Sequence, residues 1–580
     1  MKIFVKKHLW AVIILVFLST IIKLSFSSKF YSETDDVLSP NLILTYKDQS
    51  LYNISNDKTS PSYNSKIKSK IREIERKNSP FFNFLEKTSS KILNRAAPSK
   101  HSTYAPAQYI LFAGLITKEL NYNQIKFYSR IPSIFFFILY IFISYAFCTY
   151  VFKKQNNFSL ISVILLIFSF PLIYISLRSY NYAAGIFSIT LIFLLTYLEM
   201  IKKNFSLIKL STDKINIKNS LYLGSIFALL AYINYSVYFI LPIFFIMCFF
   251  KHLQLKQLFS PLNFNLLIVG TCFVIFSLPL IIHVFNMNLY QYGITRSTGG
   301  RFFEYHLSQN EKNDMIFIIL FYLKNSYLMI SKNLSFFTDD FFASTFLQSI
   351  IFLFVFFGIF ISRKESNNLK MFSNLSIVFF VYYFILVYFE VVTLGPSKYT
   401  NFYTPLFSIL FVITLRFILN LLNPKYYKFI LSFVTIFIIV IFAHSSQIFY
   451  KKYTDVFTEN YIINLIKKHN VDYISNSPDR SEQICMMKNI EVLIRVCPIK
   501  YHRYSVFKNL DQINLQKIKN EEKSIMFIND EKSIKEYGKL LSENNFQLVE
   551  KINNTKFNFK NSPLFISKYR PNKFELYIYK

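Results

Sequence analysis

Apolar runs of about 20 residues recur between residues 8 and 447, and this is the length that an α-helix needs to cross the hydrocarbon core of a bilayer. The composition agrees, because 53% of the residues are hydrophobic and 19% are aromatic. The sequence therefore predicts an all-α polytopic membrane bundle over residues 1–450, rather than a soluble protein with buried cores.

The first run, residues 8–27, follows Lys2, Lys6 and Lys7, and no small-residue cleavage site comes after it. We interpret it as an uncleaved span with the N-terminus in the cytoplasm. That orientation makes every cytoplasmic connection net basic, as the positive-inside rule requires. The sequence then predicts about eleven spans, the later ten at residues 131–152, 158–177, 180–200, 221–236, 237–250, 264–285, 343–361, 371–391, 402–421 and 427–447.

Two large loops and the C-terminal tail fall on the outer side in this topology. The first outer loop, 28–130, contains an apolar segment at 105–116 that is short for a span and that we interpret as a helix dipping into the membrane. The second is 286–342, of which 315–331 could lie along the membrane surface. Residues 451–580 have soluble composition and predict a small extracytoplasmic α/β domain, with strands near 471–474, 524–528 and 574–579. Cys485 and Cys497 could form a disulfide there.

The formal net charge of +32 is distributed over loops between spans. In a membrane protein this pattern indicates topology and anionic lipid headgroups, and not nucleic acid. We therefore expect membrane lipids as partners and no nucleic-acid partner.

Polar residues gather on the predicted outer face. Two adjacent carboxylates follow the first span, and cations and aromatic residues occur in the later outer segments; the set is Asp35, Asp36, His101, Tyr109, Arg130, Arg178, Tyr180, Tyr182, Arg301, Lys398 and Tyr399. Arginine and lysine suit a lipid-linked phosphate, and a carboxylate suits a general base that takes an acceptor proton. This pattern favours chemistry on a lipid-linked anionic substrate at the outer surface.

Several segments resemble, in order, motifs of one enzyme family: the acidic pair in Ser32–Asp36, the segment Tyr104–Tyr109, the segment Arg130–Ser133, the turn Arg178–Tyr180, and Lys398 and Tyr399 with Pro405. The layout is similar to the multi-pass GT-C glycosyltransferases, in particular the group around the protein O-mannosyltransferases and the lipid A aminoarabinose transferase. Ser179 stands where the family pattern has proline, and Lys398 where it has arginine. A lysine contacts phosphate as a point charge instead of a bidentate fork.

The resemblance implies an inner-membrane (plasma-membrane) glycosyltransferase. It would move a sugar, with inversion, from a polyprenyl-phosphate donor to a lipid, glycan or protein acceptor. Asp35 and Asp36 would supply the catalytic base, and Arg178, Lys398 and Arg130 would bind the donor phosphate. The substrate-binding residues would be Tyr180, Tyr182, His101, Tyr109, Tyr399 and Arg301. No cofactor is certain, although the acidic pair could hold a divalent cation.

Other interpretations stay open at this point. A polymerase or ligase of lipid-linked glycans would use a polyprenyl-diphosphate donor and the arginines of loop 286–314. A non-enzymatic transporter would be expected to show mid-span charges and a symmetric repeat, and the sequence shows neither. Arg130 and Arg178 could also be interface anchors, and Tyr182 an aromatic-belt residue.

Overall fold

The protein was analysed as a computed structural model. It describes residues 6–27, 106–115, 124, 127–153, 156–178, 182–201, 210, 214–253, 261–286, 315–337, 343–388, 394, 401–421, 424–453, 468, 473–476, 525–530, 547–553 and 573–579.

The described part of residues 1–453 is helical. Its helices are α1 (Lys6–Ser27), α2 (Pro106–Leu115), α3 (Ile131–Phe152), α4 (Asn156–Ile167), α5 (Phe170–Ser176), α6 (Tyr182–Met200), α7 (Ile217–Ile233), α8 (Val237–Leu253), α9 (Pro261–Asn286), α10 (Met315–Asn333), α11 (Ser344–Lys364), α12 (Asn367–Tyr388), α13 (Thr404–Leu421) and α14 (Pro424–Tyr453), with a 3-10 turn at Asn401–Tyr403 before α13.

The packing defines two ends of the bundle. At one end the hydroxyl of Ser133, in the first turn of α3, donates a hydrogen bond to the carbonyl of Arg178, just before α6 begins. The 3-10 turn belongs to the same end, because Phe402 packs against Gly185 of α6. We call this the Arg178 end. Helices α3, α6 and α13 all begin there, so they run in parallel towards the opposite end.

Residues 158–177, predicted as one span, form two helices. α4 and α5 meet at a bend of 62°. Pro171 lies in the first turn of α5, where a proline is readily accommodated. Residues at the break bond to a distant segment. The Ser169 side-chain hydroxyl donates to the carbonyl of Asn333 at 2.9 Å, and the Phe170 backbone amide donates to that of Ser335 at 3.0 Å.

The number of spans is not confirmed as eleven. Among the described residues, 8 helices are long and apolar enough to cross a membrane, or up to 9 if α4 and α5 count as one span. Three further predicted spans correspond to shorter apolar helices, at Leu9–Ser25, Ile217–Ile233 and Val237–Phe249. The 8 include α10, which the sequence prediction left out.

Two described contacts join α10 to neighbouring helices. The Tyr322 hydroxyl donates to the carbonyl of Phe384, near the end of α12, at 3.2 Å. The Tyr327 hydroxyl lies 3.2 Å from that of Ser349, near the start of α11. Both contacts are close to the Arg178 end, and the position of α10 along the membrane surface stays a prediction.

The described residues of the predicted C-terminal domain include four strands: β1 (Tyr473–Asn476), β2 (Ile525–Asp530), β3 (Gln547–Asn553) and β4 (Lys573–Tyr579). They form one sheet in the order β1-β2-β4-β3, with β1 parallel to β2 and the other pairs antiparallel. Three of these strands fall where the sequence predicted them, whereas β3 was not predicted. The cysteines Cys485 and Cys497 lie outside the described residues.

Candidate functional site

The guanidinium group of Arg178 is held between two tyrosines. Arg178 is 1% exposed, and its Nη1 donates a hydrogen bond to the Tyr174 hydroxyl at 3.1 Å. Its Cζ lies 5.2 Å from the ring centroid of Tyr174 and 5.6 Å from that of Tyr182. These distances suit cation–π contacts, and arginine stacks on aromatic faces more readily than lysine does. The side chain is therefore held in the protein interior by two aromatic neighbours and a hydrogen bond.

The start of α3 brings Arg130 to the same end. Arg130 occupies the N-cap position of α3 and is 1% exposed. Its carbonyl accepts the first helical hydrogen bond, from Ile134, and Pro132 fits the first helical turn. Three residues after Arg130, Ser133 bonds to Arg178. Two arginines predicted to bind phosphate therefore lie on adjoining segments, joined by a side-chain to backbone hydrogen bond.

A third buried cation, Lys23 of α1, was missed by the sequence analysis. It is 2% exposed, and its Nζ lies 3.2 Å from the ring centroid of Phe137 in α3. A cation–π contact of this kind contributes about 0.5–2 kcal/mol, whereas removing an ammonium from water costs roughly several kcal/mol. The Phe137 ring alone therefore does not compensate for the burial of Lys23. The sequence does contain a signal for Lys23, since a lysine inside an apolar run often marks a functional site.

Three buried cations lie at the Arg178 end, whereas both acidic residues of the described helical region lie at the opposite end. The Arg178 end carries Lys23, Arg130 and Arg178, which are among the largest fully buried side chains. The acidic residues described in this region are Glu199 and Glu365, and both lie at the opposite end. Glu199 accepts a hydrogen bond from the Leu210 amide at 3.1 Å, and Glu365 lies 3.2 Å from Arg416. The Arg178 end also gathers the N-termini of α3 and α6, whose helix dipoles favour anions.

Amide and aromatic groups adjoin the cations. The Asn234 side chain, which accepts a hydrogen bond from the Ser236 amide at 2.9 Å, would lie 3.1 Å from a Cβ at Gly185. Asn401, in the 3-10 turn, is fully buried. Tyr403 packs edge-on against Tyr383, with centroids 4.7 Å apart. Groups of these types are suited to binding a sugar, since they combine hydrogen-bonding amides with apolar ring faces.

Of the predicted site residues, Arg130, Arg178 and Tyr182 lie together at one end of the bundle. Tyr182 contacts the Arg178 guanidinium, and its predicted role in substrate binding stays a prediction. Tyr109 belongs to α2. The remaining predicted residues lie outside the described part of the chain: Asp35, Asp36, His101, Tyr180, Arg301, Lys398 and Tyr399.

A metal site is not visible in the part of the chain that the structure describes, where no group of three or more histidine, cysteine, aspartate or glutamate residues could hold an ion. The acidic pair predicted to bind a divalent cation lies outside that part. The described residues at the Arg178 end are cations, amides and tyrosines, and this set suits an anion.

No protein-family model and no curated protein matches the sequence. Among solved structures, the chain is similar to the crystal structure of a protein of Archaeoglobus fulgidus in complex with Zn and sulfate. The neighbour is an oligosaccharyltransferase. The TM-score is 0.41 at 12% identity, and the match covers 68% of this chain and 54% of the other, so it spans about half of that enzyme's length.

A match at this TM-score carries no argument about activity. The functional argument therefore rests on the residues of this chain.

Proposed function

We propose that this protein is a membrane glycosyltransferase that takes a sugar from a polyprenyl-phosphate donor and passes it to an acceptor at the outer face of the membrane. The observation that carries the proposal is the buried guanidinium of Arg178, fixed by Tyr174 and Tyr182 and joined through Ser133 to the segment of Arg130. A rigid cation of this kind suits a phosphate ester that must be bound at the end of a membrane helix bundle.

The proposed reaction is a direct displacement at the anomeric carbon of the sugar. The acceptor oxygen forms a bond to that carbon while the bond from the carbon to the phosphate oxygen breaks, and the configuration inverts. The electron pair of the broken bond leaves with the phosphate, and Asp35 or Asp36 takes the proton of the acceptor hydroxyl. The products are the glycosylated acceptor and the polyprenyl phosphate.

The cations contribute most where negative charge develops. As the bond to the sugar breaks, the phosphate group gains charge, and Arg178 and Arg130 stabilise that charge better in the transition state than in the ground state. Lys398 would add a third contact by its family position. Helix N-termini at this end act in the same direction.

The test is a donor assay with the purified full-length protein in nanodiscs. Polyprenyl-phosphate hexoses and pentoses are supplied singly, and release of polyprenyl phosphate is followed by mass spectrometry, with membrane extract as the source of acceptor. We expect release with at least one donor, and its loss in Asp35→Asn or Asp36→Asn. Asp339→Asn and Asp340→Asn are the matched controls, because they alter a second acidic pair of the predicted outer face.

Two results would contradict the proposal. Full activity in both Asp35→Asn and Asp36→Asn would remove the assigned base. Release of polyprenyl diphosphate from a diphosphate-linked donor, without turnover of any monophosphate donor, would favour a polymerase or ligase of lipid-linked glycans.

A further inference from the structure

A buried lysine on the first helix lies beside the candidate phosphate site without having been part of the predicted site. α1 packs against α3 and α4, and its Lys23 is 2% exposed and lies over the ring of Phe137. Among the described residues, its ammonium group has no hydrogen-bond partner. An ammonium group offers three donors, so a buried one that contacts an aromatic face has donors left for an anionic ligand.

Lys23 and Arg178 contact the same stripe of α3. Arg130, Ser133 and Phe137 are spaced at i, i+3 and i+7, and this spacing puts them on one face of a helix. Ser133 bonds to the Arg178 carbonyl and Phe137 contacts the Lys23 ammonium. These contacts are one helical turn apart, roughly 6 Å along the axis. Lys23 therefore lies about one turn deeper in the bundle than the Arg178 turn.

We propose that Lys23 is a further binding residue for the anionic phosphate of a lipid-linked ligand, and that it contacts the phosphate from the membrane side while Arg178 and Arg130 contact it from the outer side. The proposal rests on the proposed function for the identity of the lipid as the sugar donor. The binding of a lipid phosphate by Lys23 does not need that identity.

The depth of Lys23 determines which part of a ligand it can reach. A lipid phosphate is anchored by its chain in the hydrocarbon, so its phosphate group approaches the bundle from within the membrane. A soluble phosphate would approach from the aqueous side and meet the outer arginines first. A cation one turn below the arginines is suited to the lipid-anchored form, since it neutralises charge that would otherwise be drawn into an apolar region.

The test measures ligand binding to the purified full-length protein by native mass spectrometry, with three probes: a polyprenyl phosphate, the corresponding polyprenol, and inorganic phosphate. The variants are Lys23→Met, which keeps the length and apolar stem, and Lys23→Arg, which keeps the charge. Lys370→Met is the matched control, because Lys370 is an exposed lysine at the opposite end of the bundle.

We expect Lys23→Met to weaken polyprenyl phosphate binding by about tenfold to a hundredfold, the range for loss of a charged hydrogen bond. Lys23→Arg should stay within about threefold of the wild type because it retains the cation, and Lys370→Met should not differ. Polyprenol binding should be equal in all variants. The thermal midpoint of Lys23→Met should equal or exceed that of the wild type, because a buried charge is removed.

Wild-type binding of polyprenyl phosphate by Lys23→Met would overturn the inference. So would a loss of thermal stability without a loss of binding, since Lys23 would then serve to pair with a carboxylate of the chain. If Lys23 were needed for binding of inorganic phosphate but not of polyprenyl phosphate, the proposal that the ligand is a lipid phosphate would be overturned. Failure of the donor assay with Lys23-dependent lipid binding intact would contradict the proposed function and leave this inference standing.

Discussion

The hydroxyl of Ser133 donates a hydrogen bond of 2.5 Å to the carbonyl of Arg178, and this bond joins the start of α3 to the turn between α5 and α6. It connects two segments that the sequence separates by 45 residues. Both segments carry an arginine predicted to bind phosphate. This bond helps to hold Arg130 and Arg178 at one site.

Removing this bond should loosen the Arg178 turn. We expect Ser133→Ala to lower the free energy of unfolding by about 1 kcal/mol and to raise KM for the donor while kcat changes less. Donor titrations and thermal unfolding in nanodiscs measure the two effects. Ser188→Ala is the control, because the buried Ser188 hydroxyl has no hydrogen-bond partner among the described residues. Equal KM values for Ser133→Ala and the wild type would show that the bond does not position Arg178.

Replacing Arg178 itself separates charge from geometry. Arg178→Gln should weaken binding of a polyprenyl phosphate by at least about tenfold, since a charge-assisted hydrogen bond is lost. Arg178→Lys should be intermediate, because lysine keeps the charge but not the planar group that contacts Tyr174 and Tyr182. Native mass spectrometry with the lipid as probe measures both.

The matched control for Arg178 is Arg416→Gln, an arginine of the opposite end that pairs with Glu365. Its replacement should leave lipid phosphate binding at the wild-type value. If Arg416→Gln and Arg178→Gln weakened binding equally, the effect would come from the stability of the bundle and not from a site at the Arg178 end.

Gly185 allows the 3-10 turn before α13 to approach α6. A Cβ at this position would lie 2.7 Å from Cε1 of Phe402 and 3.1 Å from Nδ2 of Asn234. Phe402 belongs to the turn at Asn401–Tyr403, so the added methyl group of Gly185→Ala should push against this turn. We expect reduced donor binding and a stability loss of about 1–3 kcal/mol. Gly270→Ala is the control, since its Cβ would meet Phe245 at an ordinary 3.8 Å. Unchanged binding in Gly185→Ala would separate this turn from the site.

Gly358 has a different role, at the crossing of α11 and α13. A Cβ here would overlap the backbone carbonyl of Leu410, which cannot rotate away as a side chain can. We expect Gly358→Ala to lower the thermal midpoint more than Gly185→Ala does, because the two helices must separate. Thermal unfolding of both variants beside Gly270→Ala measures this order. A midpoint for Gly358→Ala at or above that of Gly185→Ala would contradict it.

The apolar pattern of the chain was sufficient for much of the helical architecture. α3 has the bounds that its run predicted, 131–152, and α6 begins two residues after the predicted start at 180. The apolar pattern did not predict the helix bounds where tertiary contacts accompany a bend in an apolar run. The single span expected over 158–177 is bent, and Ser169 and Phe170 at the bend bond to the last residue of α10 and to the segment after it. A bond across 164 residues leaves no local signal in the sequence.

The candidate site was predicted in part, for a similar reason. Motif order selected Arg130 and Arg178, and the predicted outer face added Tyr182; these residues occur together at one end of the bundle. Lys23 was not predicted as a site residue, because it lies in the first span and the burial of a lysine there depends on which helix faces it. The roles of Asp35, Asp36 and Lys398 stay predictions.

By itself the sequence determined apolar helices such as α3, α6 and α13, because long hydrophobic runs must satisfy their backbone hydrogen bonds internally in lipid. It also determined which cations and tyrosines stand next to helix ends. Only the tertiary structure decided that Lys23, Arg130 and Arg178 are buried at the same end, while Glu199 and Glu365 lie at the other. The physical reason is that the distance between charges on different helices depends on how those helices pack, and the periodicity of a single helix carries no information about its neighbours.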